Sequence, residues 1–173
     1  MDYNKARMEA EAQYPFLSKF RNVRIVPARG DNLRGLGEYF HPKEPSNPNP
    51  GEFTISIGSK SKDQPGGVAS TIIADMVHAA GDLSPEFRKL KSELIQNLSA
   101  GEINFARKKF EEKRLKHSGE NFSNFEKFME NYWSDGIIQH LLIPHNSEID
   151  EIKRGSPGAV ETLNKIKALF EGK

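Results

Sequence analysis

Thr71, Asp75 and His78 fall at i, i+4 and i+7 of a stretch, Val68 to Ala80, that contains neither glycine nor proline. A helix there sets all three on one face, and Asp82 extends the stripe. A carboxylate one turn from an imidazole can fix its tautomer, and the pair can then transfer protons or hold a metal ion. Asp75 and His78 are therefore the candidate catalytic residues, and His78 is a candidate metal ligand. The same stripe on an otherwise apolar helix can instead satisfy hydrogen bonds at the border of a core. A second group, Asp135, His140, His145 and Glu148, lies around the apolar run Ile137 to Ile143. Pro144 separates its two histidines, so His140 and His145 join His78 in a metal site only where the fold brings them together. The expected cofactor is none, with a divalent metal such as zinc as the alternative.

Arg107, Lys108, Lys109, Lys113, Arg114 and Lys116 crowd ten residues that also hold Glu111 and Glu112. Such a cluster can contact phosphates, and it can equally be a solvated helix face with acid–base pairs one turn apart. Phe122 and Phe125 recur at core spacing, whereas Phe128 and Trp133 fall on a second face and are the expected interface residues. His41 and His117 sit in charged, loop-like surroundings and read as solvated. The loop Gly58 to Gly67 leads into a helix N-terminus, where backbone N–H groups can meet an anion. It lacks the Gly-Lys-[Ser/Thr] ending of a P-loop and the spacing of a dinucleotide site. No Gly-x-Ser-x-Gly elbow is present, and the absence of cysteine excludes disulfides, thiolate ligands and thiol nucleophiles.

An alternating strand, a glycine-containing loop and a helix ending in x-[DE]-x-x-H resemble the core of the zincin metallopeptidases, whose helix carries His-Glu-x-x-His. The matching residues are Ala74-Asp75-Met76-Val77-His78. Ala74 stands where the motif has its first ligand, and Asp75 stands where it has glutamate. The resemblance implies His78 as a ligand and Asp75 as a shortened base or substitute ligand, hence a metal-dependent hydrolase as the alternative function. The chain is also similar to phage-encoded proteins in which an Ala-Asp-x-[Leu/Met/Val]-His helix precedes a proline-capped helix with an early aromatic. Ala74 to His78, Ser84-Pro85-Glu86-Phe87 and the stretch from Trp133 to Pro144 carry that likeness. It implies a place in or around a virion and implies no reaction.

The elements that must position these residues follow from periodicity. A first helix within residues 2 to 20, interrupted near Pro15, is expected to bury Met8, Ala12 and Phe16. Val23 to Val26 reads as a short strand ended by Pro27, and a brief strand surrounds Glu38 to Phe40. Pro42, Pro45, Pro48 and Pro50 stand too close together for a strand ladder, so residues 41–52 are expected as an extended surface loop. Phe53 to Ile57 alternates apolar residues with Thr54 and Ser56, which predicts one face in the core and one toward water. Ile72, Ile73, Met76, Val77 and Ala80 mark the buried face of the next helix, with Gly81 as its stop. Ser84-Pro85 opens a helix carrying Phe87, Leu90, Leu94 and Leu98. A charged helix over 102–116 turns Ile103, Ala106 and Phe110 inward. Phe122, Phe125, Met129 and Tyr132 form a further stripe, capped by Asn121 or Ser123. Ser147 opens a short helix, and Ser156-Pro157 caps a last one burying Val160, Leu163, Ile166 and Phe170.

The expected fold is therefore α+β and mainly helical, a small antiparallel or mixed sheet with six to seven helices packed on it. At 173 residues, with 36% hydrophobic and 28% charged residues, a single domain over 1–173 is expected. The net charge of +1 supplies no global field toward polyanions or acidic membranes. No run approaches the length of a membrane span and the N-terminus has no apolar segment, so the expectation is a soluble protein of the host cytoplasm or a phage particle. With no intact catalytic motif, the leading functional expectation is a non-catalytic structural or accessory protein that binds other proteins, virion components among them. Its proline-rich loop is expected to dock in extended form. Metal-dependent hydrolysis and nucleic-acid binding are the alternatives.

Overall fold

Helix formation is best determined between Gly67 and Leu83, where ten residues are buried, among them the apolar Ile72, Ile73, Met76, Val77 and Ala80. This is helix α2 of a computed structural model that describes residues 3–30, 35–143 and 148–173. Ahead of it come α1 (Asn4–Gln13), a 3-10 helix (Pro15–Phe20) and strands β1 (Arg24–Pro27), β2 (Gly37–Phe40) and β3 (Thr54–Ile57). After it come α3 (Pro85–Gln96), α4 (Ala100–Arg114), α5 (Phe125–Phe128), α6 (Ser134–Leu142), α7 (Glu148–Gly155) and α8 (Val160–Phe170). The fold is α+β and mainly helical, with eight α-helical segments and one three-stranded mixed sheet among the described residues. The described chain gathers into two compact units, Met1–Ser84 with Ala168–Lys173, and Pro85–Lys167. No helix among the described residues is long and apolar enough to cross a membrane.

In the first unit the strand order is β1-β3-β2. β1 runs parallel to β3, with Arg24 opposite Thr54 and Pro27 opposite Ile57. β2 is antiparallel to β3, with Gly37 opposite Ile57 and Phe40 opposite Thr54. Pro27 is thus the last residue of a strand rather than the residue that ends it, a position on an edge strand that proline tolerates. β3 departs further from expectation, because Thr54 and Ser56 are as buried as Ile55 and Ile57. It is the middle strand, and its hydroxyl face is closed off too; the alternation marks a small-residue face, not a wet one. Thr54 disposes of its hydroxyl by donating to the Glu52 carbonyl at 3.2 Å.

Tyr14, held by Pro15 away from helical geometry at φ −132° and ψ 86°, ends α1 as anticipated. The inward face differs from the expected one: Met8 and Ala12 are exposed, while Ala10, Tyr14, Phe16, Leu17 and Phe20 are buried. The break resets the helical phase, so counting back from Phe16 by fours selects the wrong side. Arg7 then spans the break, donating to the carbonyls of Val23 at 2.7 Å and Phe20 at 2.8 Å. Phe16 and Tyr14 meet Phe170 edge-on at 5.0 and 6.3 Å.

Gly81 does not stop α2. It is buried within the helix, which ends at Leu83, where Ser84 takes an extended conformation ahead of Pro85. The proline-rich segment is likewise not extended. Asn47 is buried, and its amide donates to the carbonyls of His41 (3.1 Å) and Glu52 (2.8 Å) while its oxygen accepts from Asn49 N–H (2.8 Å). Together with the Gly51 N–H to Pro42 carbonyl bond, this folds residues 41–52 into closed turns. Prolines prevent a ladder, and one side-chain amide supplies the cross-links that a ladder would have made.

In the second unit Ser99 caps α4 by accepting from Glu102 N–H at 3.1 Å, so the helix begins earlier than the charge pattern suggested. Asn124, not Asn121 or Ser123, caps α5 by accepting from Lys127 N–H at 2.8 Å. A π-helical turn over Met129–Trp133 joins α5 to α6. That wider turn carries the inward face from Phe128 and Met129 to Ser134 and Asp135, all buried, while Tyr132 is left half-buried. Ser134 Oγ donates back to the Glu130 carbonyl at 2.7 Å. Phe87, Leu94, Leu98, Ala106, Phe110, Leu163 and Ile166 are buried, and Leu90, Ile103 and Val160 are half-buried. Ser156 does not cap the last helix; its hydroxyl accepts from Ser99 N–H at 2.9 Å. The expected opening of a helix at Ser147 lies outside the described residues.

Candidate functional site

The polar stripe on α2 lies along edge strand β2. In an antiparallel pair, opposed residues share a sheet face, so Gly37 and Tyr39 stand on the same side as Ile57 and Ile55. A Cβ on Gly37 would come within 2.4 Å of Thr71 Cγ2 and 2.6 Å of Asp75 Oδ2, so only glycine lets the strand approach this closely. Thr71 is tied down by the Ser61 hydroxyl and by the Gln64 amide. Gln64 also donates to the Gly67 carbonyl at 3.1 Å, which fastens the loop before α2 to its first turn. Tyr39 stacks on His78 with ring centroids 6.3 Å apart, and its hydroxyl donates to Asp82 Oδ2 at 2.6 Å. Burial, followed by the Asp82 carboxylate, pushes the Tyr39 hydroxyl far above its ordinary range.

Asp75 is only 8% exposed, and its Oδ2 has no hydrogen-bond partner. Burial pushes its carboxyl up to about 7; neighbouring His78 opposes this and Glu38 adds to it. Thr71, Asp75, His78 and Asp82 do share one helix face, and that face binds strand β2 to α2. As a zinc centre the zincin-like donor set does not fit. Ala74 offers no donor atom, Asp75 Oδ2 is closed beneath Gly37, and the His78 ring lies against Tyr39.

Among the described residues, no three His, Asp or Glu side chains are grouped so as to hold a metal ion. His140 Nε2 and Glu148 Oε2 come together at 2.7 Å. His145 lies outside the described residues. His41 is half-buried, edge-on to Phe53, with Nδ1 accepting from Lys43 N–H. His117 is exposed and stacks on Phe122 at 4.9 Å. Asp135 serves a different purpose from the expected one. Lys91 Nζ reaches its Oδ1 at 2.7 Å, with both side chains buried, and Lys91 also lies 5.6 Å from the Phe87 ring centre. Lys91 occupies the inward stripe between Phe87 and Leu94, and a charge on an apolar stripe was the available signal for this pair.

The basic helix is laid over aromatic rings. Arg107 sits 4.1 Å from the Phe125 ring centre, Lys113 5.4 Å from Tyr132 and Arg114 5.6 Å from Phe110. Lys109 pairs with Glu112, and Arg114 with Glu111, each at 3.5 Å; Lys108 is exposed. Phe128, expected at an interface, is 0% exposed and packs against Phe110, Tyr132 and Trp133 at 5.3, 5.1 and 5.9 Å. It offers a partner no surface, because the rings of Phe110, Phe122, Phe125 and Tyr132 enclose it. Trp133 is half-buried, and its Nε1 donates to Glu102 Oε1 at 3.1 Å. Against it stands Phe105, edge-on at 5.8 Å and 50% exposed. Phe105 was missed in the sequence; an aromatic lying off the Ile103–Ala106–Phe110 stripe was the clue. No protein-family model, curated protein or solved structure matches the chain.

Proposed function

We propose that the protein is a non-catalytic accessory protein that acts by binding other proteins through the surface around Phe105 and Trp133. The supporting observation is the exposure of Phe105 on helix α4 beside Trp133. Among the described residues it is the one aromatic of the large apolar side chains left exposed. Its neighbour Trp133 is hydrogen-bonded to Glu102 and packs edge-on against the Phe105 ring. Aromatic side chains packed in this way lose little entropy on binding and anchor protein contacts. The likeness to phage-encoded proteins supplies one setting for the partner, a virion component.

A photo-crosslinking phenylalanine analogue at position 105, used in the cells that naturally make the chain, tests the reading. A defined adduct from position 105, competed by unmodified protein and missing when the analogue replaces exposed Met8, is the expected result. Equal labelling from both positions, or none from 105, overturns the reading.

A further inference from the structure

We infer that the Phe105–Trp133 surface takes an acidic peptide segment carrying an apolar anchor, the anchor against Phe105 and the carboxylates against the cations of α4. The inference rests on the protein-binding reading above and adds the chemistry of the partner. From Ala100 to Lys116 there are six cations, Arg107, Lys108, Lys109, Lys113, Arg114 and Lys116, and three carboxylates, Glu102, Glu111 and Glu112. Each carboxylate is already engaged: Glu102 by the Trp133 indole, Glu111 by Arg114 and Glu112 by Lys109. The surplus is positive, and Lys108 and Lys109, one turn on from Phe105, place part of it beside the exposed ring. Lys109 Nζ lies 5.5 Å from the centre of Phe105, and Lys108 is the adjoining exposed residue. Cation–π contacts orient Arg107, Lys113 and Arg114 without cancelling their charge.

A single-stranded nucleic acid fits this surface less well. Base stacking needs a free ring face. The rings of Phe125, Tyr132 and Phe110 carry Arg107, Lys113 and Arg114, so of these four rings Phe105 alone is left for successive bases to stack on. Glu111 and Glu112 interrupt the cations along the helix, where a continuous phosphate backbone meets repulsion and separated carboxylates can be accommodated.

Fluorescence anisotropy with three labelled probes tests the inference: the peptide Asp-Glu-Glu-Leu-Phe-Glu-Asp, the same peptide with Ser-Ser for Leu-Phe, and a short thymidine oligonucleotide. The expected result is that the first probe binds best, that binding falls with added salt, and that Lys108→Glu with Lys109→Glu weakens it about tenfold or more. Phe105→Ala should lower affinity for the first probe and leave the second unchanged. No binding of the first probe, stronger binding of the oligonucleotide, or indifference to charge reversal overturns the inference. Loss with Phe105→Ala but not with charge reversal removes the acidic partner and leaves the protein-binding surface standing. Absence of crosslinking from position 105 removes that surface itself.

Discussion

Asp75→Asn should remove a large component of the pH dependence of stability in the first unit. In the unfolded chain the carboxyl titrates near its ordinary 3.8, and in the folded chain near 7. Between those values the folded protein retains a proton that the unfolded chain has released, so stability falls as pH rises through this window. The component is fully present below 3.8 and gone above about 7. At about 1.36 kcal/mol for each tenfold change in proton affinity, the loss amounts to about 4 kcal/mol. The asparagine cannot ionise and keeps the shape, so its stability lacks this component. Urea unfolding of both proteins from about pH 4 to about pH 8 measures it, because carboxylates not coupled to Asp75 cancel in the difference. The variant should gain about 4 kcal/mol on the parent across that window and then hold level. A difference flat within about 0.5 kcal/mol would refute the assignment of an unpartnered, buried carboxyl.

His78→Gln removes the neighbour that opposes this shift, so a carboxyl carbon titration of Asp75 should move to higher pH; an unchanged midpoint would show the two groups to be uncoupled. Lys91→Met leaves Asp135 buried without its cation and should cost about 3 to 5 kcal/mol, whereas Lys91→Met with Asp135→Leu should recover most of it. Equal losses for the single and double variants in denaturant melts would contradict an ion pair at that position. Gly37→Ala drives a methyl into Thr71 and Asp75 and should cost about 1 to 3 kcal/mol, with amide exchange increased first across β2. Unchanged exchange in β2 would show that the strand does not depend on this close approach.

The polar stripe on α2 illustrates how far the sequence is legible. Its spacing places Thr71, Asp75, His78 and Asp82 on one face correctly, because a 3.6-residue period depends only on the helix itself. What the face meets depends on strand pairing tens of residues away. Gly37 appears in the sequence as one glycine among several, and only the antiparallel register with β3 brings it over Asp75. The hydroxyl face of β3 shows the same limit, since alternation distinguishes two faces but not which of them is covered. A single helical period through Phe122 and Phe125 puts Phe128 on the outside, but Phe122 belongs to a separate 3-10 turn before the Asn124 cap, so no one period runs through these rings and Phe128 is buried among them. Asn47 gives no periodic signal at all; its role comes from three hydrogen bonds that close one loop.

A contact surface at Phe105 and Trp133, as proposed, is directly measurable because the chain has a single tryptophan. Titrating the partner captured from position 105 while following Trp133 emission should shift the emission to shorter wavelength as the half-buried indole loses its remaining solvent. Phe105→Ala should weaken the association about tenfold or more, with the circular dichroism spectrum unchanged. Unaltered tryptophan emission at saturation, together with unaltered affinity in Phe105→Ala, would contradict the claim.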